Sequence, residues 1–202
     1  MPDASLRQSP LAGQGLKGRG QSERGTAEVA LAERPFPGIL DLRGDPTQAG
    51  FAAAVEVVLG FALPTEAGAT AGGPERRALW LGPNEWWIVT PEVDASLAAK
   101  LRDALAGEHA AITEIGDSRT CIRVSGPRAR DLIAKGCPLD LHPRLFGPGR
   151  CAQSVLAKAD VTLHQLDDEP SYDLFVLCSF ADYLWRWLED AAQEYGLAVL
   201  GD

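Results

Sequence analysis

Two passages of the chain repeat one another in register, and no other feature of its 202 residues constrains the fold as tightly. Leu42-Arg43-Gly44-Asp45-Pro46 corresponds to Arg123-Val124-Ser125-Gly126-Pro127, and residues 86–105 correspond to residues 174–195. A duplicated chain builds two similar halves, and the apolar face that neither half covers alone must be buried against the other. Hydrophobic periodicity shows what is duplicated. Residues 38–43 read as a strand; Asp45 and Pro46 then open a helix with Phe51, Val55, Val58 and Leu59 on one face, stopped by Gly60. Strands are expected at 78–81 and 86–90 around a Gly82-Pro83-Asn84 turn, then a helix over 94–106 and a strand over 111–116. The second half runs through a strand at 120–124 and a helix carrying Ala129, Leu132 and Ile133. Strands at 151–156, 161–166 and 172–177 follow, and then a helix that starts at Ser179, with Asp182 in a capping position. Leu184, Trp187, Leu188, Ala191 and Tyr195 are expected to form its inward stripe. The predicted fold is α/β (α+β), with two tandem ferredoxin-like βαββαβ halves, 26–117 and 118–202, making one pseudo-duplicated domain.

Residues 1–25 are rich in Gly, Gln, Ser and Arg and nearly lack large apolar side chains, which predicts a flexible arm. The arm spells G-x-G-x-x-G at Gly13, Gly15 and Gly18, but no strand leads in and no helix follows, so no dinucleotide site is expected there. The net charge of -9 disfavours a nucleic-acid partner, because an acidic surface repels a phosphate backbone. The longest apolar stretch, 51–63, is interrupted by Glu56 and Gly60 and is too short to span a bilayer. Cys121, Cys137, Cys151 and Cys178 lie far apart with no C-x-x-C pair, which predicts reduced thiols and a cytoplasmic setting.

Candidate chemistry is sparse. His109, His142 and His164 have no second histidine or cysteine at ligand spacing, so surface or structural roles are expected and no metal site. Asp167-Asp168-Glu169 precede Pro170 and read as a solvated turn. Glu114 and Asp117 flank Gly116 at the junction of the halves, where a cleft can form. Trp86 and Trp87 are adjacent on a strand and must face opposite ways, so one of them leaves its own half's core; Trp185 is expected to leave the stripe of Leu184 and Leu188 in the same way. Such a tryptophan packs against the other half or anchors a partner chain. No catalytic, cofactor-binding or metal-binding residue is assigned. A partner interface is expected at Trp86, Trp87, Leu141, His142, Arg144 and Phe146, with packing across the junction of the halves as the alternative for the 139–146 turn.

Leu42-Arg43-Gly44, the run from Leu79 through Trp86, Ser125-Gly126-Pro127-Arg128-Ala129, the run from Lys135 through Pro143, and the run from Phe180 through Trp185 together resemble the gamma subunit of heterotetrameric sarcosine oxidase. The resemblance covers residues 27–200 in order. It implies a complex that oxidatively demethylates sarcosine to glycine, produces hydrogen peroxide, and transfers the one-carbon unit to tetrahydrofolate. It further implies alpha, beta and delta partner subunits that carry FAD, FMN, NAD, tetrahydrofolate and zinc. The gamma chain would carry none of these, would be non-catalytic, and would support the alpha subunit with a fold similar to the folate-binding aminomethyltransferases. Lys135-Gly136-Cys137 is followed by Pro138-Leu139-Asp140, which departs from the related folate-binding iron-sulfur repair protein and leaves Cys137 as a small buried side chain. The alternative is a stand-alone folate-binding or one-carbon transfer module with Trp86 or Trp87 stacked on a pterin in the cleft.

Overall fold

Strand β1 (Val29–Arg34) has no counterpart in the predicted repeat, yet it ties the two halves together in the computed structural model, which describes residues 7–16 and 27–201. The chain continues through β2 (Gly38–Arg43), α1 (Ala49–Leu59), β3 (Thr70–Gly72), β4 (Arg77–Gly82), β5 (Glu85–Thr90), α2 (Ala95–Ala104) and β6 (Ala111–Glu114). The second half comprises β7 (Arg119–Ser125), α3 (Ala129–Ala134), β8 (Cys151–Leu156), β9 (Ala159–Asp167), β10 (Ser171–Leu177), α4 (Cys178–Ala192) and β11 (Leu197–Leu200).

The first sheet has the order β3-β4-β5-β2-β6 and the second β11-β1-β7-β10-β9-β8. Without β3, the first is the ferredoxin-like order expected of a βαββαβ unit. The second keeps that order with β8 added at one edge and β1 inserted between β11, to which it is parallel, and β7, to which it is antiparallel. The boundary drawn from sequence is corrected here, because β1 lies N-terminal to the first half but belongs to the second half's sheet. Its Val29 and Leu31 complete the core under α3 and α4.

Three apolar clusters define the layers. Phe51, Val55 and Leu59 of α1 and Leu97 and Leu101 of α2 pack on Leu42, Trp86 and Ile88 of the first sheet. Leu132 and Ile133 of α3 and Leu184, Trp185 and Leu188 of α4 pack on Ile122, Val124, Leu163 and Leu174 of the second. Between the sheets lie Ile39, Leu79 and Trp87 from one side and Cys121, Cys151 and Phe175 from the other. The result is an α/β/β/α sandwich in which both faces of each sheet are covered. At the β3 and β8 edges backbone hydrogen bonds join the sheets: Thr70 N donates to Gly149 O (2.9 Å) and Cys151 N to Gly68 O (2.8 Å).

Local chemistry sets the helix ends. Asp94 caps α2 by accepting from Ser96 N and Leu97 N, while α1 stops at Gly60, whose φ of 83° is a left-handed conformation that favours glycine. Asp45 accepts from Thr47 N and the Thr47 hydroxyl, so it makes a turn before α1 and does not cap it. Helix α4 starts at Cys178 with no side-chain cap, and Asp182 pairs instead with Arg186 at 3.0 Å and accepts from Gln14. Its inward stripe is Ala181, Leu184, Trp185, Leu188 and Ala192, so Trp185 is buried and Trp187 half-buried, the reverse of the expected order. The Trp187 ring lies where a side chain at Gly136 would have to go, so the glycine that ends α3 is also the seat for this ring.

The flexible-arm expectation fails for residues 7–16. Leu11 is 1% exposed within the core of the second half, and Leu16 packs beside it. Ser9 donates to Glu33, Arg7 pairs with Asp117 at 2.5 Å, and the Arg7 guanidinium lies 4.5 Å from the Phe36 ring centroid. Two leucines and the contacts of Arg7 and Ser9 hold a segment whose average composition reads as unstructured. Residues 1–6 and 17–25, including Gly18 of the glycine motif, lie outside the described residues. Gly15 ends a short 3-10 turn, Ala12–Gln14, at φ 62°.

Candidate functional site

The two sheets touch along Leu79, Trp87, Cys121 and Phe175 but separate toward one end, because there the inward positions are polar. Across the second sheet the pairing register aligns His164 of β9 with Asp173 of β10, and Asp173 with Arg123 of β7. Arg77, the first residue of β4, faces this row from the other sheet. Charged and hydrogen-bonding side chains cannot be pressed into a dry sheet interface without a large desolvation cost, so the sandwich stays open around them. The resulting cleft has a volume of about 910 Å³. The β1–β2 connection, with Phe36, and the end of β5, with Val89, complete its walls.

Arg123 holds Asp173 with both carboxylate oxygens engaged, Nε to Oδ1 at 2.7 Å and Nη2 to Oδ2 at 2.9 Å. This forked, charge-assisted pair fixes both side chains. His164 is 2% exposed, and its Nδ1 lies 3.5 Å from Arg77 Nη1. Burial, reinforced by the positive charges of Arg77 and Arg123 against an opposing contribution from Asp173, brings the His164 pKa down to about 4, so the ring is neutral at physiological pH. Burial likewise lowers the pKa of the Arg77 guanidinium, which still remains charged near neutrality, and raises that of the Cys121 thiol, which stays protonated. The cleft therefore offers fixed charges and hydrogen-bond donors, with no activated nucleophile.

None of the six expected interface residues lines this cleft. Trp86 is fully buried among α1 and α2, donating Nε1 to Pro64 O at 2.8 Å. Trp87 is 5% exposed in the inter-sheet core, edge-on to Phe175 at 6.1 Å. Both facts follow from the opposite orientation of neighbouring strand residues, and both remove these rings from the surface and from a stacking role in the cleft. Leu141 and Phe146 are buried in the core of the second half, which corrects their assignment to an interface and to the junction of the halves. His142 and Arg144 are exposed, and so is Leu145, at 63%. Of the remaining candidates, His109 and the Asp167-Asp168-Glu169 turn are exposed, and Cys137 is buried. Glu114 pairs with Arg102 at 2.8 Å and Asp117 with Arg7, and neither carboxylate lines the cleft. Among the described residues no three His, Cys, Asp or Glu side chains gather closely enough to hold a metal ion.

Sequence reasoning missed Arg77, Arg123 and Asp173. A signal was present: Arg123, His164 and Asp173 each sit at alternate positions to core residues on strands whose neighbours are almost all apolar. On a sheet covered on one face only, such residues point to solvent; on one covered on both faces they line a cavity.

The profile of the sarcosine oxidase, gamma subunit family matches residues 43–194. The chain belongs to the sarcosine oxidase, gamma subunit family. Over 168 residues it is 38% identical to sarcosine oxidase subunit gamma of Corynebacterium sp. (strain P-1), covering 83% of this chain and 81% of that protein. It is similar, at 33% identity and a TM-score of 0.85, to a chain of the solved heterotetrameric sarcosine oxidase from Corynebacterium sp. U-96 in complex with pyrrole 2-carboxylate, covering 94% of this chain and 96% of that one. The glycine cleavage system aminomethyltransferase T from Bartonella henselae shares the fold at a TM-score of 0.65 and 14% identity, over 91% of this chain and 57% of its own. The family match thus runs from the end of β2 through α4, and the structural likeness extends to nearly the whole chain. Among the described residues no helix is long and apolar enough to cross a membrane.

Proposed function

We propose that this chain is the gamma subunit of a heterotetrameric, cytoplasmic sarcosine oxidase, and that it is a non-catalytic support for the large alpha subunit. In this reading FAD, FMN, NAD, tetrahydrofolate and zinc belong to the alpha, beta and delta subunits, which demethylate sarcosine oxidatively and transfer the one-carbon unit. The observation that carries the reading is the end-to-end correspondence with a single chain of the U-96 complex, which covers 96% of that chain. The chemistry of the cleft supports it. Asp173 is engaged by Arg123 on both oxygens, His164 is neutral and buried, and the Cys121 thiol is protonated, so none of these three is poised as a general base or nucleophile. The alternative of a stand-alone folate module relied on Trp86 or Trp87 as a stacking platform, and both rings are buried in cores.

The test is co-expression of this chain, tagged, with the alpha, beta and delta subunits of a heterotetrameric sarcosine oxidase. Stoichiometric co-purification is expected, with sarcosine-dependent hydrogen peroxide production by the assembly and none by the tagged chain alone. Turnover of sarcosine by the lone chain, or tight binding of tetrahydrofolate to it, would overturn the non-catalytic assignment.

A further inference from the structure

Arg77 differs from the other charged groups in the deep part of the cleft. It is half-buried, and among the described residues it makes no ion pair within 4.0 Å. The carboxylate that acts on it most strongly, Asp173, is already taken by Arg123, and its one polar contact is the neutral ring of His164 at 3.5 Å. A guanidinium partly withdrawn from water and facing a neutral imidazole lacks the counter-charge that normally compensates its desolvation. The surroundings specify what can supply that charge. Of the charged groups that line the cleft, Arg7 is paired with Asp117 and Arg123 with Asp173. Leu79, Val89, Phe36 and Phe175 provide apolar wall on either side of the Arg77 position. The volume of about 910 Å³ lies within the range of small-molecule sites.

We propose that this cleft binds a small organic carboxylate, with its anionic group on Arg77 and its apolar body against Phe36 and Phe175. A carboxylate fits better than a phosphate because one guanidinium with one neutral imidazole offers a single positive charge. Asp173 serves the site indirectly. Forked to Arg123, it neutralises that guanidinium and leaves Arg77 without a carboxylate partner.

The probe is benzoate, titrated into the full-length chain by two-dimensional NMR, with benzamide as its uncharged counterpart. Benzoate is expected to bind with a dissociation constant on the order of 1 mM, appropriate to a ligand of this size, and to shift amide signals of β4, β7 and β10. Benzamide is expected to bind about tenfold more weakly or worse, and Arg77→Gln to weaken benzoate by a similar factor at an unchanged melting temperature. Should Arg77→Gln unfold the chain, Arg77→Lys, which keeps the charge but loses the fork, is expected to retain benzoate over benzamide at reduced affinity. Equal affinity for benzoate and benzamide overturns the proposal, as does an Arg77→Gln variant that binds benzoate normally. So does the absence of benzoate binding together with loss of Arg77→Gln from the assembled complex, which would assign the guanidinium to a carboxylate of a partner chain.

Discussion

Replacing Leu11 with alanine tests whether the N-terminal segment belongs to the fold. Leu11 is 1% exposed and sits in the same cluster as Leu31, Val124 and Leu188. Removing a buried leucine side chain costs about 2–5 kcal/mol, depending on how far the surroundings collapse into the space left. The segment around Leu11 is short and lies at the surface, so it relaxes more readily than a central strand, and the lower part of the range applies, about 2–3 kcal/mol. For a chain of this size each kcal/mol lowers the melting temperature by about 2–4 °C, so a fall of roughly 5–10 °C is expected by differential scanning calorimetry. Gln8→Ala, at an exposed neighbouring position, should stay within about 0.5 kcal/mol of the parent. Glu33, buried and accepting from the hydroxyls of Ser9 and Thr120, loses one of these donors when the segment is displaced, so deletion of residues 1–15 should cost more than Leu11→Ala. A Leu11→Ala melting temperature within about 1 °C of the parent would show that the segment does not contribute to the core.

The cleft and the exposed turn yield further expectations. The folded pKa of His164, about 4, lies below its ordinary value of 6.5, so the unfolded chain binds more protons between these values. The stability this confers is complete above about pH 6.5 and is lost as the pH falls toward 4. Between pH 7 and pH 5 the loss should be about 2 kcal/mol, and His164→Gln should remove that part of the slope in urea melts; an unchanged slope would refute the assignment. Asp173→Ala leaves the half-buried Arg123 without its forked partner and should destabilise by about 2–4 kcal/mol, whereas the double replacement Arg123→Met with Asp173→Leu should recover much of this; equal effects of single and double replacements in a thermal melt would contradict the coupling. The exposed tip Arg144-Leu145 is held by hydrogen bonds from Arg144 N to His142 Nδ1 and from Leu145 N to His142 O. If this preformed tip meets the alpha subunit, Leu145→Asp with Arg144→Glu should abolish co-purification while leaving the isolated chain's melting temperature within about 2 °C, and retained assembly would remove the tip from the interface.

Local sequence patterns set the content of each half. The repeat at 42–46 and 123–127, the helix faces of Phe51, Val55 and Leu59 and of Leu132 and Ile133, and the opposite orientation of Trp86 and Trp87 all follow from local periodicity, and each is present in the structure. These features depend on neighbours within a few residues, which is the range over which a sequence pattern is readable. Tertiary structure alone decided the rest. The insertion of β1 between β7 and β11, the burial of Leu11, and the covering of both faces of each sheet depend on contacts between residues more than 80 positions apart. The site depends on them most of all. Arg123, His164 and Asp173 alternate with core residues as surface residues would on a half-exposed sheet. They become the lining of a cleft because a second sheet, bearing Arg77, is packed over that face. A charge's environment is set by what lies across from it, and in this chain that is a strand from the other half.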